Sequence, residues 1–188
     1  MNFFREYYES ICRSVSAIEH TPHLLLSATE FLHAVGRRGG KVILAGNGGS
    51  AAMASHVSVD LTKAGKLRAI NFNESDLITC FANDYGYEHW IAQALEFYAD
   101  PQDLVILISS SGKSINIVNA AIKARELGLP IITFSGFLDD NPLRRLGDIN
   151  FWCDSTAYNI VEMTHHIWLL SIVDKLIDEK QTLLKLGT

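Results

Sequence analysis

The chain has 188 residues, 48% of them apolar and 20% charged, with 16 Lys+Arg against 21 Asp+Glu for a formal charge of −5. That length suits one domain, or one domain with a helical extension, and the composition suits a globular protein with a substantial core. The acidic balance argues against a broad nucleic-acid surface, and 4 Pro with 13 Gly argue against disorder.

The first 38 residues read as a pair of helices. Phe3, Phe4, Tyr7, Ile11, Val15 and Ile18 recur at helical spacing. Phe3, Phe4, Tyr7 and Tyr8 are expected to pack between helices. Thr21 and Pro22 suit the N-cap and first position of the second helix, and Gly39-Gly40 ends it. The opening MNFFREYYES lacks the apolar core of a signal peptide. Residues 41–45 (KVILA) then read as a buried strand, and a Gly-rich turn leads into a helix over 50–63. A weaker strand is predicted at 68–72, with helical pieces at 76–83 and 88–98. Residues 103–109 (DLVILIS) carry the strongest strand signal, followed by a helix over 114–127 stopped by Gly128. A strand at 130–135, a turn at 141–147, a strand at 148–153 and a long helix over 158–179 complete the chain. Strands that are continuously apolar and separated by helices predict a parallel sheet covered on both faces. The prediction is an α/β fold over 1–188, with N-terminal helices at 1–38 and an α/β core at 41–180. No apolar run approaches the ~20 residues of a membrane span, so a cytoplasmic protein without membrane contact is expected.

Cys12, Cys80 and Cys153 form no C-x-x-C pair, which leaves neither a disulfide framework nor a zinc knuckle. A reducing compartment fits them, and all three are expected to be buried small side chains.

In an open parallel sheet, ligands bind beyond the carboxyl ends of the strands. Two loops lie there: Gly46-Asn47-Gly48-Gly49-Ser50 and Ser109-Ser110-Ser111-Gly112-Lys113-Ser114. The second offers hydroxyls and backbone N–H groups at a helix start, a ready anion site. It is not a P-loop, because Leu107, inside the strand, stands where the first glycine belongs. Gly46, Gly48 and Ala51 fit G-x-G-x-x-[GA], with Glu74 and Asp76 near the distance of a ribose-binding acid. A dinucleotide module binding NAD(H) is therefore a third reading, but it leaves the serine loop unexplained.

These loops, with His56 and with Ala82-Asn83-Asp84-Tyr85-Gly86, resemble the SIS (sugar isomerase) domain family, and within it the phosphoheptose isomerase subgroup. The resemblance implies a three-layer α/β/α sandwich with a five-stranded parallel sheet. It also implies a homotetramer built on the helices, a phosphosugar ligand, and aldose–ketose isomerisation of sedoheptulose 7-phosphate or a similar sugar phosphate. Ser109, Ser110, Ser111 and Ser114 match the phosphate cradle. Asn47, Gly48 and Ser50 match the loop that holds the sugar, and Asn83 and Asp84 the segment over the ligand.

In the family a carboxylate and a histidine move the proton beside a zinc ion held by two helices. His56 matches a zinc ligand, and Asp60 a glutamate that is both ligand and catalytic carboxylate. Glu162 aligns with a glutamate of the last helix. The Gln and His that complete the family's set fall on Val161 and Leu169, so only His56 and Asp60 remain of the family's metal ligands, unless a shifted site uses the nearby Glu162, His165 and His166. Glu162 with His165 or His166 makes an i, i+3 or i, i+4 pair, and the two histidines are expected as a partly buried pair at a subunit contact. The departures support an alternative: a phosphosugar-binding protein without catalysis, acting as a regulator or an interaction scaffold for a protein partner, like the replication-initiator-associating member of the subgroup. No direct nucleic-acid contact and no further cofactor are expected.

Overall fold

A computed structural model of the chain describes residues 2–17 and 21–186, with the backbone alone at 21 and 183–186. Ile18 and the capping side chain of Thr21 lie outside the described residues.

The N-terminal pair is α1 (Asn2–Val15) and α2 (Thr21–Arg38). Then β1 (Val42–Gly46), α3 (Gly49–Lys63), β2 (Ala69–Asn71), α4 (Ser75–Tyr85), α5 (Trp90–Tyr98), β3 (Leu104–Ser109) and α6 (Ile115–Glu126) follow. The chain continues through β4 (Ile131–Gly136), a 3₁₀ turn (Leu143–Arg145), β5 (Ile149–Cys153) and α7 (Tyr158–Leu186). Among the described residues the five strands form one sheet in the order β2-β1-β3-β4-β5. Every pairing is parallel, with Leu44 opposite both Asn71 and Ile106.

The sheet is apolar on both faces because it is covered on both. Residues of β1, β3 and β4 are buried throughout. On one face Val42, Leu44, Ile106, Ile108 and Phe134 pack with α2, α3 and α7. On the other, Ile43, Val105, Leu107 and Ile131 pack with α5 and α6. This is the predicted three-layer arrangement, and α7 runs seven residues past the predicted end at 179. No helix of the described residues is long and apolar enough to cross a membrane.

Two expectations are corrected. Only Cys153 is buried, and burial pushes its thiol pKa up. Cys12 and Cys80 are exposed: α1 rests on α7, where Trp168 Nε1 donates to Val15 O, but neither α1 nor α4 fully buries a residue in the protomer. On α1, Phe3, Phe4 and Tyr8 are likewise exposed rather than packed between helices. Phe3 instead stacks on Tyr7, with centroids 6.0 Å apart.

The strand order reverses between β1 and β3: β1 is followed in the chain by its outer neighbour β2, and β3 by β4 on the other side. The crevice at such a switch point is where α/β sheets place ligands. Both Gly- and Ser-rich loops leave the carboxyl ends of these two adjacent strands.

Candidate functional site

A cavity of about 120 Å³ opens at the switch point, lined by Asn47, Ser50, Ile108, Ser109, Ser110, Ser111, Ser114, Tyr158 and Glu162. Ser50, Ser109 and Ser110 are buried. Ser114 occupies the N-cap position of α6 but makes no side-chain capping bond. Its hydroxyl instead accepts from Ser109 Oγ at 3.1 Å, so it faces the cavity rather than the helix it starts. Ser111 Oγ accepts from Lys113 N at 3.2 Å. The turn between them passes through Gly112 at φ +64°, a conformation that favours glycine.

Behind this turn lies Asn141, fully buried, with its side chain hard against Gly112. Asn141 Nδ2 is placed to donate to Leu138 O (2.8 Å), Ser135 Oγ (3.2 Å) and Gly136 O (3.2 Å). Leu143 N donates to Gly112 O at 3.1 Å, which ties the serine loop to the 3₁₀ turn.

The lining contains no cationic side chain. What favours an anion here is the set of hydroxyls together with the N-termini of α3 and α6, whose first N–H groups have no partner within their helices. Glu162 enters from α7 on the opposite wall, and its carboxylate lies against Gly49, the first residue of α3.

Asn47 is held firmly. Its amide pairs reciprocally with that of Asn116 on α6, through two bonds of 2.9 Å. Its Oδ1 also accepts from Tyr87 Oη at 3.2 Å. Asn116, Tyr87, Tyr158 and Asn141 carried no sequence signal; each matters through a partner far away in the chain.

The remaining candidates lie elsewhere. Gly48 is the exposed N-cap residue of α3. Asn83 and Asp84 sit on the exposed side of α4, where Asn83 Nδ2 donates to Asp84 Oδ1 at 2.8 Å, and neither lines the cavity. Asp60 is ten residues along α3 from Ser50, about 15 Å at helical rise, and forms a second cluster. His56 Nε2 lies 3.2 Å from Asp60 Oδ2, and His56 Nδ1 lies 3.0 Å from His166 Nε2. Asp60 and His56 of α3 and His166 of α7 thus form a row of close contacts, with a hydrogen bond between the two histidines. Burial, and next the neighbouring His56, lower the His166 pKa.

His165, adjacent in sequence, faces the core instead. It is fully buried, its Nε2 is 2.9 Å from Ser135 O, and burial pushes its pKa down to about 4. The expected partly buried pair is therefore split. Neighbours on a helix point about 100° apart, so only one of them can face the interior.

The residues do not fit the zinc site that the resemblance implies. Val161 and Leu169 are buried among core residues. Both ring nitrogens of His56 already have neighbours, Nε2 beside Asp60 Oδ2 and Nδ1 beside His166 Nε2. Among the described residues no group of three or more His, Cys, Asp or Glu is placed to hold a metal ion.

The chain is similar in sequence and fold to several known proteins. The SIS domain family model matches residues 6–136. A phosphoheptose isomerase of Aliarcobacter butzleri (strain RM4018) is 32% identical over 184 residues, covering 94% of each chain. A phosphoheptose isomerase structure from Francisella tularensis shares the fold with a TM-score of 0.86 at 24% identity, over 95% of this chain and 97% of that one. The Vibrio vulnificus NanR protein, solved in complex with ManNAc-6P, shares it with a TM-score of 0.72 at 16% identity, over 95% of this chain and 64% of that one.

Proposed function

The chain belongs to the SIS domain family, in its phosphoheptose-isomerase-like subgroup, and from that premise we propose that it binds a sugar phosphate at the switch-point cavity and interconverts its aldose and ketose forms. The observation that carries this reading is the convergence of Ser50, Ser109, Ser110, Ser111 and Ser114 on one cavity with Asn47 and Glu162. Hydroxyls and helix N-termini hold the phosphate, and Asn47 meets the sugar. Sedoheptulose 7-phosphate, or a sugar phosphate like it, is the proposed substrate.

The reaction moves a proton between adjacent carbons and develops charge on the oxygens of an enediol, so it needs a proton carrier and a hydrogen-bond donor. Glu162 is the carboxylate inside the cavity. Asp60, through His56 and His166, is the second group that can exchange a proton, further along α3 where it faces α7. In a 7-phosphate the reacting carbons lie at the end of the sugar away from the phosphate, which is where a group of this kind is needed. No step is routed through zinc. A cytoplasmic homotetramer is the proposed setting, and α1, which buries no residue in the protomer and exposes Phe3, Phe4 and Tyr8, supports assembly through the helices.

A second reading, binding without turnover by a regulator or scaffold, is favoured by one observation. Val161 and Leu169, the positions to which the resemblance assigns the enzymes' Gln and His, are core residues. NMR of the purified protein with sedoheptulose 7-phosphate separates the two. An aldoheptose 7-phosphate formed in proportion to enzyme, and lost in Glu162→Gln, supports the isomerase. Ligand line broadening without product supports the binding protein. Neither effect removes this sugar as the ligand.

A further inference from the structure

The reciprocal pair between Asn47 and Asn116 leaves open which way each amide points, because exchanging O and N in both would preserve two hydrogen bonds. A third contact settles it. Asn116 Oδ1 accepts from Ile117 N at 3.0 Å, an N–H it shares with Ser114 O. A backbone N–H is only ever a donor, so the Asn116 atom facing it is the oxygen. Asn116 Nδ2 is then the atom that donates to Asn47, and Asn47 Oδ1 is the acceptor.

Oxygen Oδ1 of Asn47 receives both Asn116 Nδ2 and Tyr87 Oη, which uses its two lone pairs. Its Nδ2 spends one hydrogen on Asn116 Oδ1. The other Nδ2 hydrogen has no protein partner among the described residues, and it belongs to a side chain that lines the cavity. Asn116 itself is 2% exposed and does not line this cavity.

We propose that Asn116 is a positioning residue that holds Asn47 as a hydrogen-bond donor, so that the site selects ligands presenting an acceptor oxygen, carbonyl or hydroxyl, beside the phosphate. A ligand offering only a donor there meets an N–H with nothing to accept it. This rests on the reading of the cavity as a phosphosugar site. It makes Asn116, a residue without ligand contact, a determinant of sugar recognition but not of phosphate binding.

A double-mutant cycle tests it. Wild type, Asn47→Ala, Asn116→Ala and the double variant are titrated calorimetrically with sedoheptulose 7-phosphate and, separately, with inorganic phosphate, and Tm is recorded for each. Affinity for the sugar phosphate is expected to fall about 3- to 10-fold in either single variant, the scale of one hydrogen bond. The double variant is expected to be no weaker than Asn47→Ala alone, with inorganic phosphate binding unchanged throughout. Asn116→Asp, which keeps the volume and the acceptor for Ile117 N but has no hydrogen for Asn47 Oδ1, is expected to lose as much as Asn116→Ala. It carries the same comparison if the alanine variant fails to fold.

An Asn116→Ala or Asn116→Asp protein that binds the sugar phosphate like wild type, whatever its Tm, overturns the inference. So does a loss that recurs in full on top of Asn47→Ala, or an equal loss for inorganic phosphate. A wild type that binds inorganic phosphate but not the sugar phosphate overturns it and leaves the serine cradle standing. A wild type that binds neither removes the phosphosugar reading together with it.

Discussion

The carboxylate of Glu162 rests so closely on Gly49 that any side chain at position 49 would collide with it. The two residues are 113 positions apart in the sequence. Their contact joins α7 to the first turn of α3, where the free N–H groups and the positive end of the helix dipole favour a carboxylate. The absence of a Cβ at Gly49 is what allows Glu162 to reach the cavity.

Gly49→Ala is therefore expected to displace Glu162 and leave the rest of the fold in place. Position 49 is helical, and alanine is favoured over glycine in a helix by up to about 1 kcal/mol, so stability should change little. Displacing a catalytic group by about 1 Å can cost on the order of 100-fold in rate. Turnover of sedoheptulose 7-phosphate in Gly49→Ala should fall towards that of Glu162→Gln, with both Tm values near wild type. A Gly49→Ala protein as active as wild type would separate Glu162 from the chemistry.

At the other end of the sheet Asp103 is fully buried. It accepts from Lys41 Nζ at 2.5 Å, Lys41 N at 2.8 Å and Asp100 N at 2.8 Å. These bonds fix the start of β3 beside β1. Removing the carboxylate leaves two backbone donors without a partner and Lys41 Nζ with Asp100 Oδ2 alone, a loss of about 2 kcal/mol or more. Urea unfolding of Asp103→Ala should show it as a lower midpoint with an unchanged slope, while phosphate binding at the opposite end of the strands persists.

His165 should make the fold sensitive to mild acid. Its pKa is about 4 in the native chain, against an ordinary value of 6.5, because burial disfavours the imidazolium. Above about pH 6.5 neither state holds the proton. Between 6.5 and 4 the unfolded chain binds a proton that the native chain refuses, so stability falls as pH falls, by up to about 1.4 kcal/mol per pH unit from this residue. Denaturant unfolding at a series of pH values should show a shallower acid limb in His165→Asn than in wild type. Parallel limbs would show that His165 takes no part.

Chelation should leave the protein as it was. With Val161 and Leu169 in the core and the ring nitrogens of His56 engaged by Asp60 and His166, EDTA is expected to change neither Tm nor sugar-phosphate affinity. Equimolar zinc should not raise Tm in scanning calorimetry. A zinc-dependent rise of several degrees would mean that His56 gives up its partners for a metal.

Much of the fold was legible because its signals are local. The continuous apolar runs of β1, β3 and β4, with helices between them, announce a parallel sheet covered on both sides. The two loops at the ends of β1 and β3 were recognisable from composition and position alone. Asn116 and Asn141 were not: one reads as an ordinary residue of a first helical turn, the other as a turn residue. Their roles rest on partners brought close by the crossovers of the sheet, Asn47 for the first and Gly112 for the second.

By itself the sequence determined the element order, the parallel sheet, the family, and the serine and glycine loops, because residue type and spacing act over a few neighbours. The tertiary structure alone decided that β1 and β3 lie side by side and that Glu162 stands over Gly49. It alone decided that His166 faces His56 while His165 is buried, and that Asn47 is locked as a donor. Each of these depends on how helices rotate and dock on the sheet. That is set by the packing of whole faces against one another, which no short stretch of residues encodes.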